Sequence, residues 1–236
     1  MVNVDIVYRT VLLIINKEQR GYITPDEFNK TATQVQLEIF NEYFDNLNQQ
    51  IRVPDNDTEY ADRIKNLQEK IAIFQTEGVC SLSTLPGADW FDIPAVTDFY
   101  KLGTVIYNDD KEVQYVQPNE LLEINLSPIT KPTKYWPVYT YKNFPQQIKV
   151  FPKTITSGIT CTYVRKPANP IWNFTLGTNQ QYIYDSQTSV QFELHPIEQT
   201  NLITRILLYS GIVIEDPQIV QIAAQQAQAA NINSKS

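Results

Sequence analysis

The chain changes its hydrophobic period near Gly78, and that change limits the folds open to it. Before it, apolar residues recur at three- and four-residue steps: Phe28, Val35, Ile39, Tyr43, Phe44, Leu47 and Ile51 make one stripe between Pro25 and about Arg52. Such a stripe is the signature of a helix with one buried face, here roughly 40 Å long at about 1.5 Å per residue. After Gly78, Pro, Tyr, Val and Thr rise and short alternating runs take over, the pattern of strands joined by turns. A helical start, a β-rich middle and a return to helical spacing from Pro196 predict an α+β fold. The expected units are a helical one over 1–78, a β-rich one over 79–195 and C-terminal helices with a tail over 196–236.

The helical part carries its own punctuation. Asn3 or Asp5 caps a helix built on Val4, Val7, Val11, Ile14 and Ile15, and Gly21 is placed to end it. Thr24 then caps the long helix, Pro25 takes its first position and Glu27 completes a capping box. A third helix is expected after Asp57 and Thr58, with Ile64, Leu67, Ile71 and Phe74 on one face. The corner from Asn16 to Glu27 mimics half of a calcium loop, but an arginine at Arg20 and an amide at Asn16 stand where anionic oxygens are needed at about 2.3–2.6 Å. A tight corner between two capped helices accounts for the same letters.

In the middle, strands are expected near 79–83, 98–107, 112–117, 134–141, 147–151, 158–165 and 189–194. A hairpin turn is read at "YNDDKE" and a short helix at 119–125. The stretch 167–186 reads as a long irregular loop, a form that usually serves function or reaches a neighbour. Its aromatic residues Trp172, Phe174, Tyr182 and Tyr184 are the candidate anchors between subunits. The C-terminus holds a helix from Pro196 to about Gly211 and a second from Pro217 to about Ala230. That second helix is uncharged and rich in Ala and Gln, so it needs a partner surface to stay ordered. Pro217, Ile219, Val220, Ile222, Ala223 and Ala227 are its candidate docking residues.

Chemistry is sparse. With 236 residues and 42% hydrophobic content the chain can bury a core, while a net charge of −7 argues against general nucleic-acid binding. Two cysteines, Cys80 and Cys161, and one histidine, His195, give a zinc site little to build on. None of the seven glycines forms a phosphate-cradling loop. No run approaches the roughly 18 apolar residues a bilayer span requires, and no export signal is read. Asp109, Asp110, Glu215 and Asp216 lie at turns or helix ends, where carboxylates cap and solubilise. His195 beside Ser189 or Ser210 lacks the strained nucleophile turn of a triad and reads as a capping or packing residue. Cations among aromatics in "KYWPVYTYKNF" and "CTYVRKPANPIWNF" fit sheet packing with snorkelling side chains. No enzyme and no cofactor are expected.

The opening "VYRTVLLIINKEQRGYITPDEFNKTATQVQLEIFNEYF", the middle "YVRKPANPIWNF" and the closing "SVQFELHPIEQTNLITRILLYSGIVIEDPQIVQIAAQQAQAAN" together cover most of the chain. They resemble a neck structural protein of crAss-like and related short-tailed bacteriophages, a ring or head-to-tail adaptor below the portal. The resemblance implies a virion protein assembled in the host cytoplasm, without catalysis, in a ring of twelve copies. Its implied partners are the portal, other neck or tail rings, and DNA that passes without sequence-specific binding. A second reading, from 14 tyrosines and three tryptophans on a β-rich body, is a receptor- or glycan-binding tail module.

Overall fold

The computed structural model describes residues 1–17, 22–52, 58–84, 89–94, 97–142 and 146–213, with 221–222, 225–226 and 228 beyond them; side chains are described outside residues 17, 49–64 and 212–213. Helix α1, Val4–Lys17, starts where Asn3 turns its side-chain oxygen back on the chain. That oxygen accepts from the backbone N–H groups of Asp5 at 2.8 Å and Ile6 at 3.2 Å, two donors that the first turn otherwise leaves unpaired. Helix α2, Pro25–Arg52, starts on a complete capping box. The Thr24 N–H donates to Glu27 Oε2 at 2.9 Å, and the Glu27 N–H donates to Thr24 Oγ1 at 3.3 Å. Helix α3 is Thr58–Ala72. The expected stop at Gly21 and the Asp57 cap lie outside the described residues.

The chain forms two compact units, and the division is discontinuous: residues 1–73 with 167–236 form one, and 74–166 the other. The C-terminal helices are therefore not a separate domain, and residues 167–195, expected with the strands, belong with the helices. In the first unit α2 lays Phe28, Ala32, Val35, Ile39 and Phe40 into the core, all at most 1% exposed. Each large side chain so buried contributes about 1.5–3 kcal/mol. Helix α5, Gln199–Val213, follows a 3-10 turn at Pro196–Glu198 and packs on α1 and α2.

The second unit is a closed barrel of seven strands: β1 Gln75–Leu82, β2 Phe91–Asp92, β3 Phe99–Tyr107, β4 Lys111–Tyr115, β5 Val138–Lys142, β6 Gln147–Phe151 and β7 Ile159–Arg165, in the order β1-β2-β6-β5-β4-β3-β7. Alternation along the strands sends Val105, Val113, Ile148, Val150, Ile159 and Cys161 inward. The three-residue β3–β4 loop, 108–110, places Asn108 and Asp109 at φ 52° and 56°, the left-handed conformation that Asn and Asp tolerate best after glycine. Gly158, at φ 77°, faces it; a Cβ there would overlap the Asn108 side-chain oxygen. Among the described residues all strand pairs but one are antiparallel. The exception, β4 with β5, joins parallel, and parallel neighbours need a crossover of about a dozen residues or more. Residues 116–137 are that crossover, and they include α4, Pro118–Leu126.

Two corrections to the sequence reading concern the chain after Lys166. The stretch 167–186 is not structureless: β8, Phe174–Leu176, and β9, Tyr182–Tyr184, pair as a small antiparallel sheet around a turn at Gly177. The expected strand at 189–194 reduces to two isolated bridges, Val190 with Ile171 and Phe192 with Val2. Three-residue strands are too short for their alternation to stand out from a loop in sequence.

Candidate functional site

Two features of the barrel unit, each built from residues adjoining the parallel joint, are its candidate site. The first is a hollow. Pairing of β3 with β4 covers only Val105–Tyr107, so the first half of β3 runs on beyond it while β4 turns to β5. Between them lies a cavity of about 280 Å³ lined by Phe99, Tyr100, Lys101 and Leu102 of β3, Tyr115 of β4, and Tyr139 and Tyr141 of β5. Tyr115 and Tyr139 sit 5.5 Å apart between centroids, and Phe99 lies 6.5 Å from Tyr141, separations at which aromatic pairs attract. Burial pushes the phenols of Tyr139 and Tyr141 further above a value already well over neutral.

The second feature is the crossover, which projects from the barrel. Helix α4 has no buried residue. Leu122, Leu126, Ile129, Tyr135 and Trp136 are 70%, 85%, 94%, 75% and 81% exposed. Single exposed apolar side chains are ordinary, but five on one short excursion are the composition of a contact surface. The projection takes its shape from bonds within itself. Gln117 N–H donates to Glu120 Oε2 at 3.2 Å, Thr130 Oγ1 to the Ile124 carbonyl at 3.1 Å, Lys131 N–H to the Ser127 carbonyl at 3.1 Å, and Trp136 N–H to Thr133 Oγ1 at 3.3 Å. Lys111 Nζ stands 4.6 Å from the Tyr135 ring centroid and ties the root of the projection to β4.

The candidate anchors of the helical unit have other work. Trp172 is 4% exposed. Its indole N–H donates to Asp5 Oδ1 at 3.0 Å, its backbone N–H to Asn29 Oδ1 at 2.8 Å, and its carbonyl accepts from Asn29 Nδ2 at 3.2 Å. Tyr8 lies 4.3 Å away, and Phe174 and Tyr184 stack on the indole at 5.8 Å. Trp172 thus pins the β8–β9 hairpin to α1 and α2 of its own chain, which leaves Tyr182, Ile183 and Leu176, 44%, 46% and 65% exposed, as the hairpin's outer face. Of the C-terminal candidates, Ile222 is described and is 59% exposed; Pro217, Ile219, Val220, Ala223 and Ala227 lie outside the described residues, as do Glu215 and Asp216.

The polar groups that could suggest catalysis are engaged in structure. His195 Nδ1 accepts from the Ile197 N–H at 3.3 Å and caps the 3-10 turn. Ser189 Oγ donates to the Asp185 carbonyl at 2.6 Å, and Ser210 Oγ to the Ile206 carbonyl at 2.7 Å. Glu198, 7% exposed, is driven up by burial but held net below the usual carboxylate range by Lys70, whose Nζ donates to Oε1 at 2.6 Å, and by Asn201. Arg205 forms a two-pronged pair with Glu42, both contacts 2.7 Å, and Tyr209 donates to Glu38. Cys80 and Cys161 meet inside the barrel with sulfurs 3.1 Å apart; the Cys161 contact and burial push the Cys80 thiol well above its usual range. Lys142 and Lys149 lie 5.7 and 5.3 Å from the Trp90 ring centroid, a use of cations among aromatics that belongs to the sheet. Among the described residues no three of His, Cys, Asp and Glu converge to hold a metal, and no helix is long and apolar enough to cross a membrane.

No family model matches the chain, and the search of curated proteins found no match.

Proposed function

We propose that the chain is a non-catalytic structural protein of a phage neck, one copy of a ring that seats below the portal and joins capsid to tail. The observation that supports it best is the projection over 116–137, which spends a long crossover on presenting apolar side chains to a partner. The resemblance of the terminal segments to neck proteins of short-tailed phages gives that partner its class. A net charge of −7 per copy suits a channel through which DNA slides without adhering.

The test is co-sedimentation of the full chain with the portal ring of its phage, with and without residues 217–236, followed by a copy count. The reading expects saturable binding at one copy per portal subunit, lost on truncation. Failure of the full chain to bind the portal overturns it. A second reading, a glycan- or receptor-binding module, draws on the tyrosine-lined hollow; retention on a glycan array without affinity for portal would favour it.

A further inference from the structure

The chain has two cysteines, and the barrel brings them together. Cys80 on β1 and Cys161 on β7 are 81 residues apart in sequence, yet their sulfurs lie 3.1 Å apart. The strand ladder explains how. β1 and β7 run antiparallel with Cys80 opposite Ile159 and Cys161 opposite Gly78, so the cysteines stand on one diagonal, and both face the core. Gly78 carries no side chain, and the Cys161 thiol meets Cys80 along the diagonal instead of a partner straight across. The two are 3% and 0% exposed. A thiol is a weak donor and a weak acceptor, so the contact adds little to the core while both sulfurs stay reduced.

We propose that Cys80 and Cys161 are an oxidation site, at which a small peroxide joins them as a disulfide that locks the β1–β7 seam of the barrel. The Cys80 S–H donates to the Cys161 sulfur, and that bond holds the Cys161 thiol below its usual range, which makes Cys161 the attacking sulfur. Cys161 takes one oxygen from the peroxide as a sulfenic acid, and a first water leaves. The Cys80 sulfur then attacks Cys161, the S–S bond forms, and the hydroxyl departs with the Cys80 proton as a second water. Two electrons pass from two thiols to one peroxide. The second step needs a closing movement of about 1 Å, from 3.1 Å to a bond of about 2.05 Å. A sulfenic acid so placed meets its neighbour before a second peroxide enters the core. β1 and β7 are the first and last strands of the barrel and pair with each other, so a bond between them encloses β2 to β6 and restricts the unfolded chain. The inference stands on the barrel alone. Under the neck reading, the change would come when the particle leaves a reducing cytoplasm.

The experiment treats the folded full-length chain with hydrogen peroxide, removes the peroxide, unfolds the chain in an alkylating agent, and maps its peptides without reductant. The inference expects a monomer in which the peptides holding Cys80 and Cys161 are joined, no thiol is left to alkylate, and dithiothreitol restores both. The joined form should melt about 10 °C higher in its barrel transition. Cys80→Ala, treated in the same way, should gain nothing. Two alkylated cysteines, at a peroxide level that oxidises free cysteine in the same tube, overturn the inference. So do a bond between chains, sulfinic acid at both positions, and a joined form whose barrel melts no higher.

Discussion

The two units hold themselves together in different ways. The barrel is continuous in sequence, and its core is a single apolar cluster from Cys80 to Tyr163. The helical unit is assembled from both ends of the chain and is clamped by polar contacts across long separations: Arg205 with Glu42, Lys70 with Glu198, and Gln36, whose amide donates to the Ala168 carbonyl at 2.7 Å while its oxygen accepts from the Glu193 N–H at 3.1 Å. Apolar stripes drive helices together but fix their register loosely; buried hydrogen bonds are costly to leave unmade, so they select one arrangement. The unit whose pieces are remote in sequence carries these specific bonds, whereas the barrel, whose register its strand ladders fix, leaves the apolar side chains of its crossover exposed.

If that contrast is right, damage to one unit should leave the other standing. Trp172→Ala removes an indole buried against Tyr8 and frees the hairpin from α1 and α2; a loss of about 3–5 kcal/mol is expected. Differential scanning calorimetry should show the helical transition shifted or gone, with the barrel transition in place. Loss of both transitions would mean that the units unfold as one. Ile148→Ala, at a fully buried site in the barrel, should cost about 3 kcal/mol and move only the other transition. Arg205→Ala should destabilise the helical unit by about 2 kcal/mol in urea titration, less than a fully buried pair would, because the Glu42 side chain is 38% exposed and keeps some water. A value near zero would remove the polar clamp from the comparison. Thr24→Ala, which takes away half of the capping box, should cost about 1 kcal/mol in the same assay.

The smallest effect belongs to acid. Glu198 is held below its ordinary value in the folded chain by Lys70 and Asn201, so its contribution is complete above the ordinary carboxylate range, near 4.3. It is lost as pH falls through the depressed folded value, where the unfolded chain binds the proton more readily. Chemical denaturation between pH 7 and 3 should show the helical unit weakening in acid, with a shallower slope in Glu198→Gln. An unchanged slope would assign the acid sensitivity elsewhere.

What the sequence disclosed was local. The helical stripe of α2, the Thr24 and Glu27 box, the Asn-Asp turn and the His195 cap each reside within a few residues, and each is present in the structure. The barrel's closure was hidden because strand periodicity states which face is buried and not which strand is the neighbour. The parallel β4–β5 joint above all left no mark beyond a short helix with apolar letters. Trp172 shows a further limit: a tryptophan in a loop looks the same whether it will anchor a neighbour or its own chain, and only the approach of Asp5 and Asn29 decides. The projection left a signal that was passed over. In "LLEINLSPIT" apolar residues recur without a polar face opposite, in a helix too short to be a core element.

The barrel's two ends meet: the Arg165 N–H donates to the Phe74 carbonyl at 3.0 Å. The segment between them therefore behaves as a cassette. Its entry and exit, 73/74 and 166/167, lie side by side. Excising 74–166 and bridging 73 to 167 with a short linker would therefore ask the linker to span only the gap that one backbone hydrogen bond already closes.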